Sequence, residues 1–251
     1  MTDSPGGFSP PDLNLGERVC AIHQPNFFPR LSTLTKLFLA DHWVVLDDVQ
    51  FTRRDYQHRA RVAPLDYPPR PRWLSLAVHL PDGRATRISD AAVVDPVKCR
   101  RRVAMMLRER YRASPHWSGL SEVIDTVLAA MQTTDRLSVI AEASTLGLLR
   151  MLGWPGTVTR SSDTDCRTDR SQRLVDLALA TQATTYLCGR GGMTYLEPAG
   201  FQAAGVDVLP LRLPTSEPWD SGYRLSAAHA LMSHGPHAVV DLMTGVGRTL
   251  A

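Results

Sequence analysis

The stretch Ile22-His23-Gln24-Pro25-Asn26-Phe27-Phe28-Pro29 decides how this chain folds. After one amphipathic segment it is answered by Val44-Val45-Leu46-Asp47-Asp48-Val49-Gln50-Phe51. Each half joins a short apolar run to a cluster of side chains that can bond, titrate or hold a ligand. Residues 19–22 read as a buried strand that His23 and Pro25 end, because proline cannot donate to a central ladder. Residues 31–40 have helical patterning and residues 43–46 form the next strand. Strand, helix and strand make a βαβ unit, and ligands of open α/β sheets bind outside the carboxyl ends of the strands. His23, Gln24, Asn26, Asp47 and Asp48 are therefore expected on one rim.

At 251 residues the chain is long enough to bury a full core. Residues 1–17, rich in Pro, Gly and Ser, lack the charged and apolar regions of a signal peptide and read as a disordered leader. Residues 18–251 read as a single α/β domain. The formal charge is +3, carried almost wholly by arginine, with Lys36 and Lys98 as the lysines. Arg53, Arg54, Arg59, Arg61 and residues 100–102 form local basic clusters. Arginine forks suit phosphates or carboxylates, so a small anionic molecule is the expected partner rather than nucleic acid. No run is long and apolar enough for a membrane span. Cys20, Cys99, Cys166 and Cys188 have neither disulfide-framework nor zinc-ligand spacing, so no metal site is expected. A reduced, cytoplasmic protein follows as the expectation.

Further along, residues 52–61 are polar and basic and are expected to cross the rim as a loop. Residues 64–71 hold four prolines and read as a rigid loop. Residues 73–78 and 87–94 read as strands. From 97 to 152 the apolar residues recur at helical spacing, as at Leu120, Val123, Ile124 and Val127. Residues 157–160 return to strand, 170–180 to helix and 185–188 to strand. The Gly189-Arg190-Gly191-Gly192 loop follows, then a strand at 206–211 and a helical tail. The pattern predicts a three-layer α/β fold with a mainly parallel, Rossmann-like sheet and a helical insert at 97–152.

His23 is the leading acid–base residue, since imidazole titrates near neutrality; the alternative is a histidine that merely caps its loop. Asp47 and Asp48 are adjacent, so their side chains diverge and do not form a close dyad. One is expected to orient His23 or bind an amine, the other to cap a turn or pair with Arg59. The amides of Gly189, Arg190, Gly191 and Gly192 suit an anion or oxyanion nest, or simply a tight turn. Cys188, before that nest, reads as a nucleophile served by His23 or as a packing residue. Arg59 and Arg61 are expected to hold anionic groups or to lie solvated on a loop. Lys36, on the helix leaving the His23 loop, is placed to meet an anion.

The sequences HQPNFFP at 23–29, LDDVQF at 46–51, YLCGRGG at 186–192 and YL at 195–196 resemble the WbqC-like family, in that family's order. The resemblance covers residues 19–242. Gln57, Arg59 and Arg61 match its stretch after the second strand, Lys36 a lysine of its first helix, and Ser171 and Arg173 its T-E-R-L segment. It places Gln24, Asn26, Gln50, Gln57 and Tyr195 among the substrate-binding residues. Cys188 stands where serine is usual, Gln172 where glutamate is, and His229 where aspartate is. The family occurs among genes for O-antigen sugars and bacterial secondary metabolites, which implies a biosynthetic enzyme acting on a small activated molecule.

The first functional reading is transfer of an acyl or aminoacyl group to an amine or hydroxyl, from a free or carrier-bound donor, with no cofactor. An ATP-dependent ligase or nucleotidyltransferase is the second. A non-catalytic protein that binds an intermediate, or an acid–base lyase or cyclase, completes the set.

Overall fold

A computed structural model describes residues 18–66 and 70–250; the expected leader at 1–17 lies outside them. Nine strands and nine α-helices follow in the order β1 (Val19–His23), α1 (Leu31–Phe38), β2 (His42–Val45), β3 (Arg59–Val62), β4 (Arg72–Ser75), β5 (Val78–His79), β6 (Ala92–Val93), α2 (Pro96–Tyr111), α3 (Trp117–Thr133), α4 (Leu137–Met151), β7 (Thr157–Arg160), α5 (Arg170–Ala180), β8 (Thr185–Cys188), α6 (Pro198–Ala203), β9 (Asp207–Pro210), α7 (Trp219–Gly222), α8 (Ala227–His234) and α9 (Pro236–Arg248).

Five strands form the central sheet in the order β7-β2-β1-β8-β9, every pair parallel. Taken by their sequence within this sheet, the order is 3-2-1-4-5, so the winding reverses between β1 and β8. That reversal is the topological switch point at which open α/β sheets take their ligands.

Alternation along each strand sorts the side chains into two cores. Ala21, Trp43, Val45 and Leu187 pack with α1 and the helical insert. Cys20, Ile22, Val44, Tyr186 and Cys188 pack with α5 and α6. The expected three layers are therefore present.

The insert consists of α2, α3 and α4. Asp95 caps α2 by accepting from Lys98 N at 3.0 Å, Pro96 fills the first turn, and Cys99, Val103, Leu107 and Tyr111 recur every fourth residue on its buried face. α3 and α4 lie so close at Gly147 that a Cβ there would meet Val123 Cγ1 at 2.7 Å.

Two expectations are corrected. Residues 73–78 and 87–94 do not add long strands to the sheet; β3 with β4, and β5 with β6, form separate antiparallel pairs. Residues 88–90 are a 3₁₀ turn. The basic run at 52–61, read as loop, ends inside β3, where Ala60 and Val62 are buried and Arg59 and Arg61 alternate outward.

Candidate functional site

The carboxyl ends of β1 and β8 border a cavity of about 700 Å³. Its cationic lining is Arg30, Lys36, Arg190 and Arg212, joined by His23, and among the described residues no carboxylate lines it. Ser32 and Thr33 of the first turn of α1, Gly189 and Gly191 after β8, and Thr215 and Tyr223 complete its polar wall.

The loop carrying His23 is fixed from below by the helical insert. Ser144 Oγ accepts from Phe28 N at 2.8 Å, and Thr145 Oγ1 donates to Asn26 O at 2.9 Å. Phe28 is held at φ +43°, a conformation non-glycine residues seldom adopt. Its ring meets Phe27 edge-on at 4.9 Å, and both rings are fully buried. Phe27 and Phe28 are core residues.

His23 Nε2 is buried and, among the described residues, has no hydrogen-bond partner. Burial first, then the charges of Lys36 and Arg30, hold its pKa well below the ordinary imidazole value, while the Asn26 side chain works the other way. The ring is therefore neutral. Lys36 reaches back from α1 and donates from Nζ to Ile22 O at 2.8 Å, with the side chain 6% exposed. Burial draws its pKa down to about 8, opposed by the Cys188 and Cys20 thiols.

The aspartates lie elsewhere. Asp47 Oδ1 accepts from Ser162 N at 3.1 Å and Oδ2 from Ser162 Oγ at 2.9 Å. Asp48 accepts from Ser161 Oγ and pairs with Arg173 of α5, not with Arg59. The two carboxylates thus converge on Ser161, and neither is hydrogen-bonded to His23. Their diverging backbone positions are brought back together by the turn after β7, which the local sequence could not reveal.

Cys188 is separated from His23 by strand alternation. Its thiol packs on the α5 and α6 side with Cys20 and Ile22, whereas His23 follows Val19 and Ala21 on the α1 side. Burial pushes the Cys188 thiol up, despite Tyr186 and Lys36. The thiol is therefore packed among apolar side chains.

The glycine loop divides. Gly189, Arg190 and Gly191 line the cavity. Gly192 instead donates its amide to Gly189 O at 2.9 Å, and Met193 does so at 3.4 Å, so those amides are not turned to an oxyanion. A Cβ on Gly192 would stand 2.6 Å from Cys188 Sγ, which explains glycine there.

The remaining sequence candidates lie outside the cavity lining. Gln57 Nε2 donates to Gln24 Oε1 at 2.8 Å, tying two loops together. Asn26 is buried and Gln50 bonds Arg84 O. Tyr195 lies under Arg170 at 3.5 Å. Arg59 and Arg61 stack on Trp73, 4.2 and 5.5 Å from its ring centre. Arg30, which sequence reading missed, stacks on Tyr56 at 4.2 Å and so joins the cavity to this aromatic cluster. Its place just before α1 was the available signal. Arg212 and Tyr223 come from a segment with no motif. Among the described residues no cluster of His, Cys, Asp and Glu is placed to hold a metal, and no helix is long and apolar enough to cross a membrane.

Fold and cavity define a doubly wound α/β protein with a cationic cavity at its switch point. The model of the WbqC-like protein family matches residues 24–239, and the chain belongs to that family. It is 22% identical over 188 residues to the uncharacterized protein Rv1507c of Mycobacterium tuberculosis, an alignment covering 75% of this chain and 79% of that protein. No solved structure gives a significant match.

Proposed function

We propose that the protein is a biosynthetic transferase that binds an anionic small molecule in the switch-point cavity and moves an acyl or aminoacyl group onto an amine or hydroxyl. The observation that carries this reading is a cavity with four cationic side chains, an unpartnered imidazole nitrogen and no carboxylate. Guanidinium forks and a buried ammonium favour phosphate or carboxylate. The His23 imidazole takes the acceptor's proton as the acceptor lone pair bonds to the acyl carbon. The leaving group departs with the electron pair of the broken bond, and the imidazolium returns the proton to it. Asp47, Asp48 and Cys188 have no part in this step.

The test compares wild type with His23→Ala against acyl-CoA, sugar nucleotides and magnesium–ATP, by thermal shift and then turnover. Binding retained by a folded His23→Ala protein that no longer turns over its substrate supports the reading. Normal turnover by that variant removes the base. A shift with magnesium–ATP alone, followed by pyrophosphate release, replaces transfer with ligation.

A further inference from the structure

Lys36 is a buried cation without a counter-ion. Its Nζ donates to Ile22 O, and among the described residues it forms no ion pair. Arg30 is similarly placed, with its Nε buried and unpartnered and its Nη1 donating to Tyr223 O at 3.2 Å. Both line the same cavity as His23. The other groups set around the ring are Asn26 from its own loop, Trp43 of β2, which donates to His23 O at 3.2 Å, and Arg190, Arg212 and Tyr223 across the cavity. None of them carries a carboxylate, and the titratable neighbours of Lys36 on the sheet side are the Cys188 and Cys20 thiols.

We propose that Lys36, acting with Arg30, makes His23 a working base only while an anionic group of the substrate occupies the cavity. Lys36 is a positioning residue here, because it acts through the imidazole and through the anion it holds. The inference rests on the anionic-substrate reading and deepens it. Burial first, and then the two nearby cations, oppose imidazolium in the ligand-free cavity, so His23 is neutral but a poor proton acceptor. An oxyanion seated between Lys36 and Arg30 cancels their field and adds a negative charge near the ring. Both effects favour imidazolium and carry the base toward the range in which proton transfer is most effective. The acceptor is then deprotonated only after the anionic substrate is seated.

The experiment follows imidazole signals of the full-length, histidine-labelled protein by NMR across pH, with inorganic pyrophosphate as the probe. His23→Ala assigns the His23 signal among the eight histidines. Pyrophosphate should raise the His23 midpoint by about one pH unit or more, as a charge brought within about 4–6 Å does. Lys36→Met should raise the midpoint without the probe and shrink the response, and Lys36→Arg should restore it. Arg30→Gln carries the same comparison if Lys36→Met does not fold. Pyrophosphate that binds by calorimetry yet leaves the His23 midpoint unmoved overturns the gating and spares the anion site. Binding that survives loss of both Lys36 and Arg30 overturns it as well. No binding of pyrophosphate at all overturns both this inference and the anionic-substrate reading.

Discussion

The Arg160 guanidinium grips the Glu142 carboxylate with two bonds, Nε to Oε2 at 2.8 Å and Nη2 to Oε1 at 3.0 Å. This fork ties edge strand β7 to the middle of α4. Glu142 is largely buried and Arg160 half-exposed, so removing the carboxylate strands a partly desolvated cation. Glu142→Ala should cost about 1–3 kcal/mol in urea unfolding. An unchanged midpoint would show the pair to be no more than a surface contact.

Gly192 and Cys188 should couple. Gly192→Ala places a methyl 2.6 Å from Cys188 Sγ and should destabilise by about 1–3 kcal/mol through overpacking. Cys188→Ala vacates that space, so the double variant should recover at least about 1 kcal/mol relative to additivity. Simple additivity in a double-mutant cycle would contradict the contact.

His58 should make the fold acid-sensitive. Burial, then the charges of Arg59 and Arg53, lower its pKa to about 4, and its Nδ1 has no partner. The unfolded chain binds this proton near its ordinary value of about 6.5, while the folded protein waits until about 4. Between those values the unfolded state holds more protons, so stability falls as pH falls. His58→Gln should flatten the slope of Tm against pH across that window; an unaltered slope would refute the assignment.

Asp48 acts at lower pH. Burial works to raise its carboxyl, but the bonds from Arg173 and Ser161 prevail and its pKa lies below the ordinary carboxylate value. Its contribution is present above the unfolded value and is lost as pH falls through the folded one. Wild type should therefore lose more stability than Asp48→Asn on acidification below about pH 4. Parallel acid curves for the two proteins would show that the ion pair contributes nothing.

The βαβ unit, α5 and β8 were legible in the sequence because each has a strong local signature. Residues 185–188 are a continuous apolar-rich run before glycines, and Asp169 accepts from Ser171 N and Gln172 N at the start of α5. His23, Lys36 and residues 189–191 line one cavity, and the convergence of strand ends in a parallel sheet is what made that neighbourhood legible. The fate of Asp47 and Asp48 was not, since their partners Ser161, Ser162 and Arg173 stand more than a hundred positions away. The face that Cys188 meets was hidden for a different reason. A one-residue step along a strand reverses the face a side chain meets, and motif spacing does not record that.

Ser144 and Thr145 give the helical insert a meaning beyond bulk. They hold the His23 loop by its backbone, so α4 and that loop form one structural unit although more than a hundred residues separate them. The segment from α2 to α4 is consequently not an ornament that could be trimmed, or exchanged with a relative's, while leaving the chemistry behind. Shortening it through Ser144 would remove the contact that holds Phe28 at its unusual backbone angle, and the imidazole five residues earlier would lose its address without a single cavity residue having been changed.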